Sequence, residues 1–189
     1  NKNLMKIFAF DNKAITDDVG ESTIEELVNA AFTMSKPKTG ALIVIERKES
    51  LVNIEKTGIL INGIVSSQLL INIFEHNTPL HDGAVLIRGN TIVSATCYLP
   101  LSENMRISKD LGTRHRAAIG ISEVSDSITI VVSEETGRVS VALGGNLIKV
   151  NDSEELRKEL SVLLEDTAEE KKSSLWSKLL KGRGNEKDK

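Results

Sequence analysis

Gly40-Ala41-Leu42-Ile43-Val44-Ile45-Glu46 is a continuous apolar run bounded by a glycine and a carboxylate. A strand without hydrophobic alternation is expected where both faces are covered. The run therefore predicts a sheet with helices on either side. Just upstream, Ser22-Thr23-Ile24-Glu25 has the form of a capping box. Behind it, Ile24, Leu27, Val28, Ala31 and Phe32 recur at helical spacing. They predict an amphipathic helix that ends before Lys36-Pro37, because the residue preceding a proline is pushed out of helical geometry.

Working downstream, residues 58–65 read as a strand followed by a turn at Asn62-Gly63. Residues 68–75 read as a helix carrying Leu69, Leu70, Ile73 and Phe74. Residues 84–87 and 91–98 form a hairpin across Gly89-Asn90. A polar loop is expected over 106–112, a short helix over 114–121 and a strand over 127–132. A turn at 134–137 leads into a strand over 139–143, which Gly144-Gly145-Asn146 breaks. Asp152 or Ser153 caps a last helix whose Leu156, Leu160, Leu163 and Leu164 share one face. Interleaved helices and strands place the fold in the α/β class, bordering α+β. The expectation is a mixed central β-sheet flanked by helices in a single globular domain. Residues 1–20 read as a lead segment, 21–165 as the domain and 166–189 as a charged tail.

Composition removes several function classes. The net charge is −3, so the whole chain is no basic nucleic-acid binder, and no nucleic-acid partner is expected. Aromatics make up 3% of the residues, too few for a base-stacking platform. Cys97 is the only cysteine, which precludes an intramolecular disulfide and fits a reducing compartment. Its place in an alternating apolar run favours a small buried hydrophobe over a nucleophile. The sequence has neither a secretory signal nor an apolar run long enough to span a bilayer. It begins with Asn and not Met, so a processed or cut chain with an upstream segment is expected. Near the end, residues 152–170 carry eight acids and two bases, and residues 171–189 seven bases and two acids. The basic stretch also holds Leu175, Trp176, Leu179 and Leu180. It reads either as a helix on an anionic membrane or partner, or as a solvated terminus.

Three polar stretches exceed what a core requires. Pro79-Leu80-His81-Asp82-Gly83-Ala84 precedes a buried strand. An acid beside a glycine at a strand mouth suits a divalent cation, with room for a ligand against the backbone. The same letters also describe a plain Asp-Gly turn. Gly112-Thr113-Arg114-His115-Arg116-Ala117-Ala118 sets a hydroxyl and two guanidiniums at a helix start. Arginine grips phosphate with two bonds, and a helix N-terminus adds free N–H groups. Cations there oppose the helix dipole, which speaks for an anionic ligand, and a solvated first turn is the equal alternative. Ser133-Glu134-Glu135-Thr136-Gly137 offers a hydroxyl and carboxylates, or a polar turn. His76 and His81 do not have a helical metal spacing, and no P-loop, GxGxxG, GxSxG or HExxH motif occurs.

The Asp-Gly-Ala and Arg-His-Arg motifs together are far more specific than either alone. With LHDGAVLIRGNTIVSATCYLPLS (Leu80 to Ser102), LGTRHRAAIGISE (Leu111 to Glu123) and IVVSEETGRVSVALGG (Ile130 to Gly145), the sequence closely resembles the diadenylate cyclase domain. The resemblance covers about residues 20 to 165 and is strongest to the family's membrane-anchored branch. It implies condensation of two ATP into cyclic di-AMP with loss of two pyrophosphates.

The resemblance implies a role for each motif residue. Asp82 binds Mg²⁺ or Mn²⁺ and assists loss of the ribose 3′-hydroxyl proton, with His81 and Glu135 as further metal ligands. Asp82, Arg114 and His115 are the catalytic set. Gly83 and Ala84 let the nucleotide approach the backbone, and Tyr98 and Leu99 flank the adenine. Thr113, Arg114, His115, Arg116 and Ser133 hold phosphates; Arg116 alternatively orders the motif through an acidic partner, and Tyr98 alternatively packs at a rim. The resemblance also implies a homodimer with two facing ATP molecules. Family members are regulated by a membrane protein and by phosphoglucosamine mutase, and the full-length protein would lie at the cytoplasmic face of the membrane. The rival reading is a catalytically silent nucleotide-binding signalling module.

Overall fold

A computed structural model describes residues 18–104 and 111–164. The elements in chain order are α1 (Glu21–Ser35), β1 (Ala41–Ile45), α2 (Val52–Glu55), β2 (Ile59–Ile64), α3 (Ser67–Phe74), β3 (Ala84–Arg88), β4 (Thr91–Cys97), α4 (Thr113–Val124), β5 (Ile128–Val132), β6 (Val139–Leu143) and β7 (Asn146–Val150). A last helix, α5, occupies 153–164. The strands make one seven-stranded sheet in the order β2-β4-β3-β1-β5-β6-β7. β1 pairs parallel with β3, and every other pairing is antiparallel. The sheet is mixed and flanked by helices, as the sequence predicts.

The unalternating run at residues 41–45 is buried throughout, and its two faces feed two different cores. Ala41, Ile43 and Ile45 pack with Leu27, Val28 and Met34 of α1, Leu70 and Phe74 of α3, and Leu156 and Leu160 of α5. Leu42 and Val44 point the other way, onto Ala117, Ala118 and Ile121 of α4. Each fully buried Ile or Leu contributes about 1.5–3 kcal/mol, so slipping β1 by one residue would exchange the two sets and lose both cores.

Two local expectations need correction, and two elements carry no sequence signal. α1 begins at Glu21 on Gly20, without a side-chain cap. Ser22 therefore lies inside the helix, and Glu25 pairs with Arg157 of α5 instead of closing a capping box. Asn62-Gly63 makes no turn. Asn62 takes a positive φ of 50° inside β2, and the register against β4 shifts there, so the signal marks a bulge. Gly144-Gly145 does break β6 after Leu143 as expected, and with both φ positive it turns the chain straight into β7, a strand the sequence does not announce. β7 is an edge strand with only Val150 buried, too little apolar signal for a sequence reading. α2 was also unforeseen, since none of its residues is buried. The last helix does start where expected, as Asp152 Oδ1 accepts from Glu155 N at 2.8 Å. The 1–20 lead before Asp18, most of the 106–112 loop and the 166–189 tail lie outside the described residues.

Candidate active site

The hairpin β3–β4 builds one side of the site. Between Ala84 and Leu86 of β3, β4 carries an extra residue. That bulge puts Thr96 at φ 57°, an uncommon state for a β-branched residue. Thr96 lies against Gly83, itself at φ 102°. A Cβ on Gly83 would come within 2.8 Å of the Thr96 carbonyl carbon, so only glycine fits. Asp82 is thereby held at the strand mouth, exposed. The bulge also turns Tyr98 outward, 78% exposed, and its backbone N–H donates to Thr57 Oγ1 at 2.9 Å.

The N-terminus of α4 builds the centre. Gly112 is its N-cap, and no side chain caps the first turn. Gly120 lets the helix lie on the 100–102 backbone, where a Cβ would come within 2.1 Å of Pro100 O. Arg114 Nη1 donates to Glu134 Oε2 at 2.5 Å. Arg116 points elsewhere: its Nη2 donates to Ser102 O at 2.9 Å, and it lines neither cavity described below. It orders the segment beneath α4, through a carbonyl and not the acidic partner anticipated. His115 is buried, and burial pushes its imidazole below the usual value. The neighbouring Arg114 charge adds to this lowering and Glu135 partly opposes it, so the ring is neutral near pH 7.

The β5–β6 turn builds the far side. Ser133 N donates to Arg138 O, Thr136 N to Ser133 Oγ and Gly137 N to Ser133 O. Ser35 at the end of α1 pins the turn by donating to Gly137 O at 2.5 Å.

Two cavities result, and they share Thr113, Arg114 and Glu134. The larger, about 760 Å³, also takes His81, Asp82, Gly83, Tyr98 and Leu99 in its wall. The other, about 410 Å³, takes His115, Ser133 and Glu135. Ala84 is buried in β3 and lines neither. Apart from Ala84 and Arg116, the motif residues therefore line two cavities that meet at one helix N-terminus. Asp82 and Glu135, however, line different cavities, so the two carboxylates do not share one cavity within a single chain.

The donor set at Asp82 suits a divalent cation only in part. Among the described residues no three His, Cys, Asp or Glu side chains form a metal-binding group. His81 Nδ1 lies 2.6 Å from Thr78 O. A carbonyl only accepts, so Nδ1 carries the proton and Nε2 keeps its lone pair. One carboxylate plus one imidazole matches a hard cation that draws its remaining oxygens from water and phosphate.

Sequence reasoning missed three supports of the site. Gly40 lies beneath Arg114, and nothing in its surroundings in the sequence announces this. Thr57 belongs to a segment to which the sequence reading assigns no element. Gly120, an isolated glycine in a helical pattern, did carry a signal of close packing. Cys97 is buried as expected, and burial raises its thiol above the usual value.

Comparison with known proteins bears on the same residues. The family model described as DisA bacterial checkpoint controller nucleotide-binding matches residues 28–147. Cyclic di-AMP synthase CdaA of Bacillus subtilis is 51% identical over 160 residues, covering 85% of this chain and 59% of that protein. A diadenylate cyclase of Listeria monocytogenes is 54% identical over 157 residues, covering 82% and 56%. The chain thus spans less than two thirds of the length of these curated relatives. A crystal structure of DacA from Staphylococcus aureus superposes with a TM-score of 0.74 at 46% identity, covering 76% of this chain and 96% of that one. A structure described as a hypothetical membrane spanning protein from Bacillus cereus gives a TM-score of 0.67 at 47% identity, covering 70% and 64%. Among the described residues no helix is long and apolar enough to cross a membrane.

Proposed function

The chain belongs to the DisA nucleotide-binding family of diadenylate cyclases, and we propose that residues 21–165 form a catalytic domain that condenses two ATP into cyclic di-AMP and two pyrophosphates. The observation that carries this reading is the pair of cavities meeting at Thr113 and Arg114. A nucleotide laid across them has its adenosine beside Tyr98 and Leu99. Its α-phosphate lies at the α4 N-terminus, and its terminal phosphates lie toward Ser133 and Glu135.

Each bond change then has a residue to serve it. The ribose 3′-hydroxyl of one ATP attacks the α-phosphorus of the other, and Asp82 accepts the hydroxyl proton. Arg114 offsets the negative charge that builds on the α-phosphoryl oxygens, helped by the exposed N–H groups of the first α4 turn. Neutral His115 donates one N–H to the same oxygens. Ser133 donates to the departing pyrophosphate. Gly83 gives the nucleotide no room of its own, because the Thr96 and Cys97 backbone fills the space of its missing Cβ; it serves by holding Asp82 at the rim. A Mg²⁺ or Mn²⁺ ion held by Asp82, with His81 beside it, would lower the pKa of the attacking hydroxyl and screen the phosphates. The remaining catalysis is positioning, as for phosphoryl transfers generally.

A single chain presents one such site, and ring closure needs two attacks. The active species is therefore a symmetric homodimer with facing cavities. The full-length protein would work at the cytoplasmic face of a membrane. That placement is supported by the description of the Bacillus cereus neighbour as membrane spanning.

The test is to incubate the chain with ATP and Mg²⁺ or Mn²⁺ and identify products by mass spectrometry. Cyclic di-AMP and pyrophosphate are expected. ATP binding by a dimer with no turnover would instead support a silent nucleotide-binding module.

A further inference from the structure

Among the described residues the arginines other than Arg138 are all engaged. Arg47 bonds Asp126 O and Leu163 O, Arg88 holds Glu46 and Glu55, and Arg114 holds Glu134. Arg116 bonds Ser102 O, and Arg157 pairs with Glu25 and Glu154. The Arg138 guanidinium has no hydrogen bond or ion pair with any described residue, and neither does the Lys149 ammonium. Both are exposed and both line the smaller cavity, with Ser133 and His115.

Their placement follows from the sheet register. Ser140 of β6 faces Lys149 of β7, and Arg138 lies two residues before Ser140, just ahead of β6, so continuing the same alternation makes it the diagonal neighbour of Lys149 on that face. Such neighbours stand about 7–8 Å apart, within reach of a common ligand. Two like charges set this close repel each other unless an anion lies between them. Glu135, on the same rim, makes an ion pair with neither. None of the motifs that identify the family includes Lys149, and Arg138 follows the Ser133–Gly137 turn without a role of its own.

We propose that Arg138 and Lys149 form a two-cation clamp for the β- and γ-phosphates of the bound nucleotide, making this chain select triphosphates over monophosphates. The proposal rests on the ATP reading above and adds a subsite to it. Arginine meets two phosphate oxygens through its planar fork, while lysine acts as a compact point charge. Because the clamp touches only the leaving pyrophosphate, cyclic di-AMP, which has no terminal phosphates, gains nothing from it. The clamp therefore holds substrate and releases product.

The experiment is calorimetric titration of the parent, Arg138→Ala, Lys149→Ala and the double variant. The probes are a non-hydrolysable ATP analogue, AMP and cyclic di-AMP. Both side chains are exposed, so the variants should fold like the parent, which circular dichroism checks. The expected result is at least a tenfold loss of affinity for the ATP analogue in the double variant. AMP and cyclic di-AMP should change less than twofold, and Arg138→Lys should recover part of the loss. Unchanged binding of the ATP analogue, or an equal loss for AMP, would overturn the clamp while leaving the ATP site intact. A parent chain that binds none of the three would overturn the ATP reading, and the clamp with it.

Discussion

Gly40 lies directly beneath Arg114: a Cβ built on Gly40 would come within 2.8 Å of Arg114 Nη1 and 3.1 Å of Glu134 Cβ. The entry to β1 thus sets the position of the guanidinium at the boundary of the two cavities. Gly40→Ala should push Arg114 aside while barely disturbing the fold, because the two closest atoms are the far end of the flexible Arg114 side chain, and Glu134 Cβ, on a turn, need give only a few tenths of an ångström. Displacing one charge-assisted phosphate contact costs about 1.5–3 kcal/mol. ATP affinity should therefore fall about tenfold or more with little change in melting temperature. Unchanged affinity by calorimetry would remove Gly40 from the support of Arg114.

Asp82→Asn keeps the shape of the side chain but removes its charge and its capacity to accept a proton. Asp82 is exposed at a strand mouth, so folding should be unaffected. Turnover should fall by about 10²- to 10⁴-fold, the usual range for loss of a general base. Pyrophosphate release, followed beside circular dichroism, checks this. Turnover within a factor of a few of the parent would exclude Asp82 from proton transfer.

His115 gives the molecule a predictable response to acid. Its folded value lies below the ordinary 6.5 because burial disfavours the charged ring. As the pH drops below about 6.5, the unfolded chain takes up a proton that the folded chain resists. Stability is therefore retained above that pH and lost as acidity increases, until the folded ring is protonated as well. Melting temperature measured from pH 7.5 down to 5.5 should fall, and His115→Gln should flatten part of that slope. Parallel slopes for the two proteins would contradict the buried neutral imidazole.

Thr57→Val removes the hydroxyl oxygen that accepts from Tyr98 N, and with it the bond from Thr57 Oγ1 to Ile54 O. A loss of about 1 kcal/mol in stability is expected. Because Tyr98 and Thr57 both line the larger cavity, KM for ATP should rise more than kcat falls. An effect confined to melting temperature would make Thr57 a structural residue only.

The sequence disclosed the parts of this fold whose residues report on their own surroundings. The run at 41–45 announced two covered faces because every position is apolar. The Arg-His-Arg motif lay at a helix start as expected, since the apolar Ala117, Ala118 and Ile121 follow at helical spacing. Elements held by something other than apolar burial stayed hidden. α2 buries none of its residues and is fastened by Glu55 to Arg88 and by Leu51 N to Glu46, contacts made across the fold. Asn62-Gly63 is ambiguous in isolation because a turn and a bulge both need the positive φ that it supplies. For Ser22 and Glu25, a distant partner, Arg157, won over the local cap. At the site, the sequence supplied most of the motif side chains that line the two cavities but not the residues that make room for them. Gly40 illustrates this, since its importance depends on a helix more than 70 residues away.

The bond from Ser35 Oγ to Gly137 O has a mechanical consequence. It fixes the C-terminal end of α1 against the turn that carries Ser133, so the other end of that 15-residue helix lies about 22 Å away. A leash, label or fusion partner attached ahead of Glu21 is joined at the end of α1 remote from that turn. α1 also packs on the sheet face opposite α4. Attachment there holds the domain from the face opposite α4, whose N-terminus borders both cavities.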